Sequence, residues 1–562
     1  MDRRTFVTQS LCLGAASTLH LPLAHAQESA QNRPLVKTTA GTVRGAVQGG
    51  IAHFKGIPYG EDTRLTRFQR PVPPARWTGV RDAVTWGDRA PQLGGRTSGQ
   101  SGLTSRVTPP VEASVPETYR LPEDEGDSSE DCLHLNVWTP SPRRAGHGTR
   151  PVLVYIHGGA YNSGTVNAAL YDGTRLCERG DVVVVTVNHR LNAFGYLYLG
   201  EVTEDAAYAD SGNVGMLDLV LALQWVRDNI AEFGGDPRRV LIFGQSGGGA
   251  KCATLMAMPE AHGLFHSVMS MSGQQVTAAP KSIATARAKQ FLAKLGLEDV
   301  SKAELRKALE AMPLARLEDA ARVSSAWLPV VDGRSLPRDP FEPDAPSLSS
   351  DVAMILGNTH DETRGLIGGA KPALFSLTWE QLPAALKENI GVYLGPLTPE
   401  RVVSSYREWY PQYTPADVFF AAATAFRSWP GQVIEAERRA QSAAAKRTWV
   451  YEMDWPSPVA GGKFHAPHTV DIPFYFDTLA VSPGMVGTDV AAAQPLATAM
   501  CETLIAFAKT GDPNHAGLPH WPTYDVARRS TMSWAIPPRV VEDPRGRERR
   551  FAAEAHYRQP GT

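Results

Sequence analysis

Two short glycine-rich segments hold the residue types that acyl-transfer chemistry needs. In Gly244-Gln245-Ser246-Gly247-Gly248 a serine stands in a G-x-S-x-G pattern, directly after the apolar run Val240-Leu241-Ile242-Phe243 and ahead of a segment expected to be helical. A sharp strand-to-helix turn crowds the backbone, so small residues are needed at the flanking positions and the hydroxyl is left exposed at the turn. The helix N-terminus beyond it favours an anion nearby. The second segment, His157-Gly158-Gly159-Ala160, follows another apolar run. Acyl transfer passes through a tetrahedral oxyanion that preorganised backbone N–H groups must stabilise, and small residues let a substrate carbonyl approach the main chain. Gly159 and Ala160 offer two such donors, and Gly247, next to the serine, a third. His157 is expected to bond its own loop rather than to titrate.

A serine becomes a nucleophile when a base takes its proton and an acid orients that base. Beyond Ser246, the stretch Gly357-Asn358-Thr359-His360-Asp361-Glu362-Thr363 follows a strand candidate and presents two consecutive carboxylates, Asp361 and Glu362. Further on, His465-Ala466-Pro467-His468-Thr469-Val470-Asp471 presents two histidines, with an acidic residue three places after the second.

The elements that must position these residues are visible as apolar runs. Pro151 to Ile156 and Val182 to Val187 are continuous and β-branched, as in strands covered on both faces. From Asn213 to Phe233 apolar residues recur at helical spacing and stop at Gly234-Gly235, which predicts a crossover helix feeding the strand Val240 to Phe243. Strand, crossover helix, strand and helix in this order predict an α/β fold with a mostly parallel sheet and helices on both faces. Further strands are expected at 352–356 and 449–453. Residues 280–325 and 370–445 read as helical insertions over the carboxyl end of the sheet. Residues 91–129, rich in Gly, Ser, Pro and Glu, read as a long loop, either a rim over the site or plain solvated chain.

Composition narrows the function classes. With 56 Lys+Arg against 58 Asp+Glu and 43% hydrophobic residues in 562, the chain has core-forming material and no basic excess, so neither a disordered chain nor a dedicated nucleic-acid binder is expected. H-E-x-x-H, a strand-following G-x-G-x-x-G and G-x-x-x-x-G-K-[ST] are absent, so no metal, nucleotide, flavin or other cofactor is expected. Asp2-Arg3-Arg4-Thr5-Phe6-Val7, a modestly apolar stretch and Ala24-His25-Ala26 read as a twin-arginine export signal over residues 1–26, cleaved after Ala26. The expected mature chain, 27–562, is a single domain with insertions, periplasmic or secreted, with no membrane span. Cys132, Cys177, Cys252 and Cys501 are far apart and are expected as free buried thiols.

The chain resembles the type-B carboxylesterases of the α/β-hydrolase superfamily. The likeness runs through Gly41-Thr42-Val43-Arg44-Gly45, Phe54-Lys55-Gly56-Ile57-Pro58-Tyr59, Glu130-Asp131-Cys132-Leu133-His134-Leu135-Asn136-Val137-Trp138, the nucleophile block, Phe233-Gly234-Gly235-Asp236-Pro237 and Phe507 to Asn514. It implies a serine hydrolase that cleaves carboxylic esters through an acyl-enzyme. Aligned on the family's glycine, the acid is Glu362, with Asp361 as the alternative; the family's His-x-x-acid pattern fits His468 with Asp471, leaving His465 outside. The resemblance also implies that Ser272 helps to hold the acid.

Departures from the family pattern bear on substrate. The usual cysteine partner of Cys132, about forty residues upstream, is missing, and no tryptophan stands in 91–129 to stack on a quaternary ammonium, so a choline ester is not expected. The nucleophile block has Gln245 where the family more often has glutamate, and Ala160 is of the type that accommodates bulky alcohols in related esterases. The expected partner is a small-molecule ester, and nothing in the sequence sets an oligomeric state. Trp327, Phe426, Trp429 and Tyr161 are candidate pocket aromatics, or plain core. An amidase or carbamate hydrolase would use the same triad, and a catalytically silent binding or adhesion module would be expected to have lost it. A lipase would need an apolar lid, which 91–129 does not offer.

Overall fold

The β-branched runs form the centre of an 11-stranded sheet in a computed structural model of the chain, which describes residues 33–92, 119–142, 149–203 and 205–560. The expected signal and its cleavage site, and most of the 91–129 loop, lie outside the described residues. In chain order the strands of this sheet are β1 (Ala46–Gln48), β2 (Ile51–Pro58), β3 (His134–Thr139), β4 (Arg150–Ile156), β5 (Val183–Val187), β6 (Gly235–Gln245), β7 (Ser267–Met271), β8 (Ala353–Thr359), β9 (Thr448–Met453), β10 (Ser530–Trp534) and β11 (Arg539–Glu542). Across the sheet they lie in the order β11-β10-β9-β8-β7-β6-β4-β5-β3-β2-β1. From β10 to β5 every neighbouring pair is parallel, while β11 at one edge and β3, β2 and β1 at the other run antiparallel.

Burial explains why the central strands read as unbroken apolar runs. Alternate residues of β4 serve opposite layers: Val152, Val154 and Ile156 join a core that contains the helix α1 (Val214–Asn229), whereas Leu153 and Tyr155 join one that contains the helix Gln494–Thr510. Both faces are therefore dry, and a polar side chain there needs a partner, as Asn136 has in Thr186. The crossover helix ends earlier than expected. Its last turn, Ile230–Phe233, tightens to a 3-10 helix because Gly234, at φ 87°, caps it with its N–H on the Ala231 and Ile230 carbonyls. β6 then begins at Gly235, five residues before its apolar run, by pairing with Arg150 ahead of a bulge.

The first expected insertion holds the helices Lys281–Leu295, Lys302–Ala311 and Leu314–Ala321. The second holds Leu382–Ile390, Pro399–Trp409, Pro415–Ala423 and Pro430–Ala440, whose side chains Leu386, Val402, Tyr406 and Phe419 form an apolar cluster of their own. Residues 34–562 make one compact unit. Among the described residues no helix is long and apolar enough to cross a membrane. Cys132, Cys177, Cys252 and Cys501 are free and buried.

Strand order also fixes where a site can form. After β4 the chain moves to one side to make β5, then crosses back so that β6 lies on the other side of β4. The connections leave the carboxyl ends of β4 and β6 in opposite directions, which opens a crevice there. The two glycine-rich segments are the residues that follow β4 and β6.

Candidate active site

β6 ends at Gln245 and the helix α2 (Gly247–Leu255) starts two residues later, so Ser246 carries the whole reversal, at φ 57° and ψ −126°. A non-glycine residue in that region stores on the order of 1–3 kcal/mol of strain. Ser246 is held by its own N–H, which donates to the Met271 carbonyl at 2.7 Å, and it remains part-exposed between buried neighbours. The glycines around it are required by space. A Cβ on Gly244 would stand 2.5 Å from the Gly248 carbonyl carbon, and one on Gly247 2.2 Å from the Ala160 oxygen.

The same close approach seats the segment after β4. A Cβ on Gly158 would lie 3.3 Å from the Ser246 Cβ, so His157 to Ala160 runs beside the serine. Gly159 and Ala160 take left-handed conformations, with φ 85° and 52°. The turn is closed by Asn162 and Ser163, whose N–H groups donate to the Gly159 carbonyl at 3.2 and 3.1 Å. His157 is buried, bonds the Gly158 carbonyl through Nδ1 at 2.8 Å and stacks on His189 with centroids 4.6 Å apart. Burial and the nearby Lys251 push its imidazole down to about 3, which keeps it neutral.

Glu362 and His468 arrive from the chain that follows β8 and β9. β8 continues beyond its apolar run because Gly357, Asn358 and Thr359 pair with Tyr451, Glu452 and Met453 of β9. The turn that follows delivers Glu362, 1% exposed, to His468, 3% exposed, and Glu362 Oε2 meets His468 Nδ1 in a short contact. The other carboxylate oxygen accepts from the Thr359 N–H at 2.9 Å and from Asn358 Nδ2 at 3.1 Å. Burial alone would raise the Glu362 carboxyl; the charge and hydrogen bond of His468, with Ser272 and Thr359, outweigh it and hold the carboxyl below its usual range. Ser272, at the end of β7 with φ 51°, thus favours the ionised acid, although its hydroxyl is not aligned for a full hydrogen bond. His468 is fixed from behind by Tyr119, whose hydroxyl donates to the His468 carbonyl at 3.2 Å.

Of the two carboxylates, Glu362 faces His468 and Asp361 faces the opposite way. Asp361 bonds His360 Nδ1 at 3.0 Å and Arg364 Nε at 3.2 Å, and its other near neighbour is His465 Nδ1 at 3.5 Å. His465, without an acid at the family spacing, finds one in the preceding loop. Asp471 does not bond His468; it accepts from the Tyr451 hydroxyl at 2.8 Å, and burial pushes its carboxyl up to about 7. The four candidate aromatics are all buried: Trp327 donates to the Ala321 carbonyl, Phe426 packs on Phe551, Trp429 lies under Arg545, and Tyr161 bonds Gln275.

Three residues at the site went unassigned in the sequence. Gln245 lays its amide nitrogen 3.3 Å from His468 Nε2 and 3.4 Å from Nδ1, Tyr119 pins the base loop, and Lys251 reaches the oxyanion segment. Only Gln245 had a sequence signal, its departure from glutamate. Among the described residues one group could offer ligands to a metal: His360, Glu452 and Asp454 bring one atom each within 4.8 Å, along a cavity of about 570 Å³. Two of the three already have charged partners, because Arg545 pairs with Glu452 and Asp361 with His360, and Asp454 accepts from the Ser533 hydroxyl.

A doubly wound sheet with a serine in a strained strand-to-helix turn, acid and histidine following in that order, is the α/β-hydrolase fold. The chain belongs to the carboxylesterase family, which matches residues 32–552, and it is a carboxylic ester hydrolase. Para-nitrobenzyl esterase of Bacillus subtilis (strain 168) is 33% identical over 528 residues, covering 92% of this chain and 97% of that protein. Phenmedipham hydrolase of Pseudarthrobacter oxydans is 32% identical over 513 residues, covering 88% and 93%. The solved structure of a Geobacillus stearothermophilus carboxylesterase superposes with a TM-score of 0.74 at 33% identity, covering 92% of this chain and all of that one.

Proposed function

We infer that Ser246 is the nucleophile, His468 the base and Glu362 the acid of ester hydrolysis, with Gly159, Ala160 and Gly247 donating to the oxyanion. The observation that carries this reading is the buried Glu362–His468 pair, whose imidazole lies 3.3 Å from the amide nitrogen of Gln245, the residue before Ser246. With Nδ1 committed to Glu362, Nε2, which the Gln245 amide also approaches, is the nitrogen that takes the Ser246 proton as Oγ attacks the ester carbonyl. Negative charge then develops on the carbonyl oxygen, where preorganised backbone N–H groups stabilise it without reorganising. The alcohol leaves with the proton from His468, and water repeats the sequence on the acyl-enzyme. Glu362, held ionised, stabilises the imidazolium in both steps without taking its proton.

The test is turnover of p-nitrophenyl esters of increasing acyl length, beside Ser246→Ala. Turnover that vanishes in the variant supports the assignment, and the chain-length dependence sizes the acyl pocket; retained turnover removes Ser246 from the mechanism. Activity confined to amides or carbamates would move the substrate class while keeping the triad. The twin-arginine start and the A-x-A sequence support export to the periplasm or beyond. Arg3→Lys with Arg4→Lys should then retain the protein in the cytoplasm of a host with that pathway, and unchanged export would refute this route.

A further inference from the structure

Lys251 lies on α2, one residue before Cys252, and its side chain is fully buried. It turns back beneath the segment after β4, where Nζ donates to the Ala160 carbonyl at 2.6 Å and to the His157 carbonyl at 3.3 Å. The ring of Tyr161 lies 5.2 Å from the ammonium. Among the described residues the titratable groups around it are His157, His189, Tyr161 and Cys252, and none is a carboxylate. Glu435 is reached only through Tyr161 and Gln275, and burial pushes it up to about 8, so it carries little charge at neutral pH. A buried cation without a counter-ion is costly. What this one does is satisfy the carbonyls at the two ends of the four-residue oxyanion segment, whose middle runs through left-handed conformations at Gly159 and Ala160. Left free, those carbonyls and that turn would have other arrangements; tied at both ends to α2, they have one.

Resting on the hydrolase reading above, we propose that Lys251 is a positioning residue for the oxyanion pocket. Its ammonium ties the His157 and Ala160 carbonyls to the helix that begins at the nucleophile, fixes the Gly159 and Ala160 N–H groups against Ser246, and places a positive charge behind the point where the oxyanion forms. Both histidines beside it are neutral, because burial and Lys251 itself hold His157 down to about 3 and His189 well below its usual range. The lysine is the group that titrates: burial brings it down to about 7, so its charge is present below that pH and lost above it.

Two variants and one wild-type measurement test this. Lys251→Met removes donor and charge at similar length, and Lys251→Gln keeps a donor without the charge. With p-nitrophenyl butyrate, Lys251→Met should lower kcat by roughly 10- to 100-fold with KM within about threefold, since the interaction matters when the oxyanion is present. Affinity for an aryl trifluoromethyl ketone, which forms a tetrahedral adduct with a serine, should fall by about the same factor as kcat/KM, and Lys251→Gln should lie between. In the wild type, ketone affinity should decline between about pH 7 and 8.5 as the ammonium deprotonates, and in both variants that decline should be gone. A folded Lys251→Met variant with kcat and ketone affinity within about twofold of wild type overturns the proposal. Should neither variant fold, a wild-type affinity that stays flat over that range overturns it equally. A wild type that hydrolyses no ester and forms no adduct at Ser246 would instead refute the hydrolase reading, so the two failures are told apart.

Discussion

Asp361 and Glu362 are consecutive, and His465 and His468 are three apart, yet the structure sorts them into two unlike pairs. The inner pair, Glu362 with His468, is 1% and 3% exposed, and the carboxylate meets a single imidazole. The outer group gathers around Asp361, with His360, Arg364 and His465, and His360 and His465 are 33% and 48% exposed. The backbone joins the two, because the Asp361 N–H donates to the Ala466 carbonyl at 3.0 Å. Identical residue types thus take on different work according to how many partners they have and how much water reaches them. A carboxylate with a single imidazole partner in a dry crevice can orient a base; one shared among several partners mainly ties two loops together.

The largest effect that separates the pairs is on turnover. Glu362→Gln keeps the shape and removes the charge, and should lower kcat by about 10³- to 10⁴-fold with KM little changed. Asp361→Asn should leave kcat within about threefold. Steady-state kinetics on one p-nitrophenyl ester decides the matter, and a reversal of the two effects would make Asp361 the acid.

Stability should separate them in the other sense. Asp361→Ala strips His360 and His465 of their carboxylate and leaves Arg364 with Asp417 alone. Breaking such a partly buried network should cost about 2–4 kcal/mol, read as a fall in the urea midpoint at unchanged m. A midpoint that does not move would show that the outer group does not hold the two loops together.

A smaller change sharpens the inner pair. Gln245→Glu would put a carboxylate where the amide now lies 3.3 Å from His468 Nε2. A negative charge there favours the imidazolium, so the acid limb of the kcat/KM profile should move up by about one pH unit. An unmoved limb would mean that the new carboxylate turns away or is itself protonated.

How much of this was legible in the sequence depended on how local each cause was. The turn at Ser246 and the glycines beside it are dictated by crowding within a few residues, and the parallel centre by runs that need both faces dry. Spacing could not choose between Asp361 and Glu362, because the choice is made by β8 continuing through Gly357, Asn358 and Thr359, which have no apolar signature and extend the strand only by pairing with β9. Lys251 has partners 94 and 91 residues before it, and Tyr119 reaches a loop 349 residues on. Such residues look like ordinary members of a helix and a coil until the fold brings their partners in.

The smallest effect belongs to the outer group alone and is read through pH. Burial acts to lower the His360 imidazole, but the charge and hydrogen bond of Asp361, with Glu452, outweigh it and push His360 up to about 9. Protonated His360 therefore stabilises the fold fully below its unfolded value of about 6.5, and the contribution disappears as pH rises from there through about 9. Since a third of the side chain meets solvent, screening reduces the effect to the order of 1 kcal/mol. Urea unfolding at pH 6 and pH 9.5 should show the wild type losing about that much more than His360→Gln, whose side chain does not titrate. Equal losses in the two proteins would mean that His360 is neutral throughout. Asp361 would then be held by Arg364 and His465, and the charge pairing in the outer group would rest on Arg364 rather than on His360.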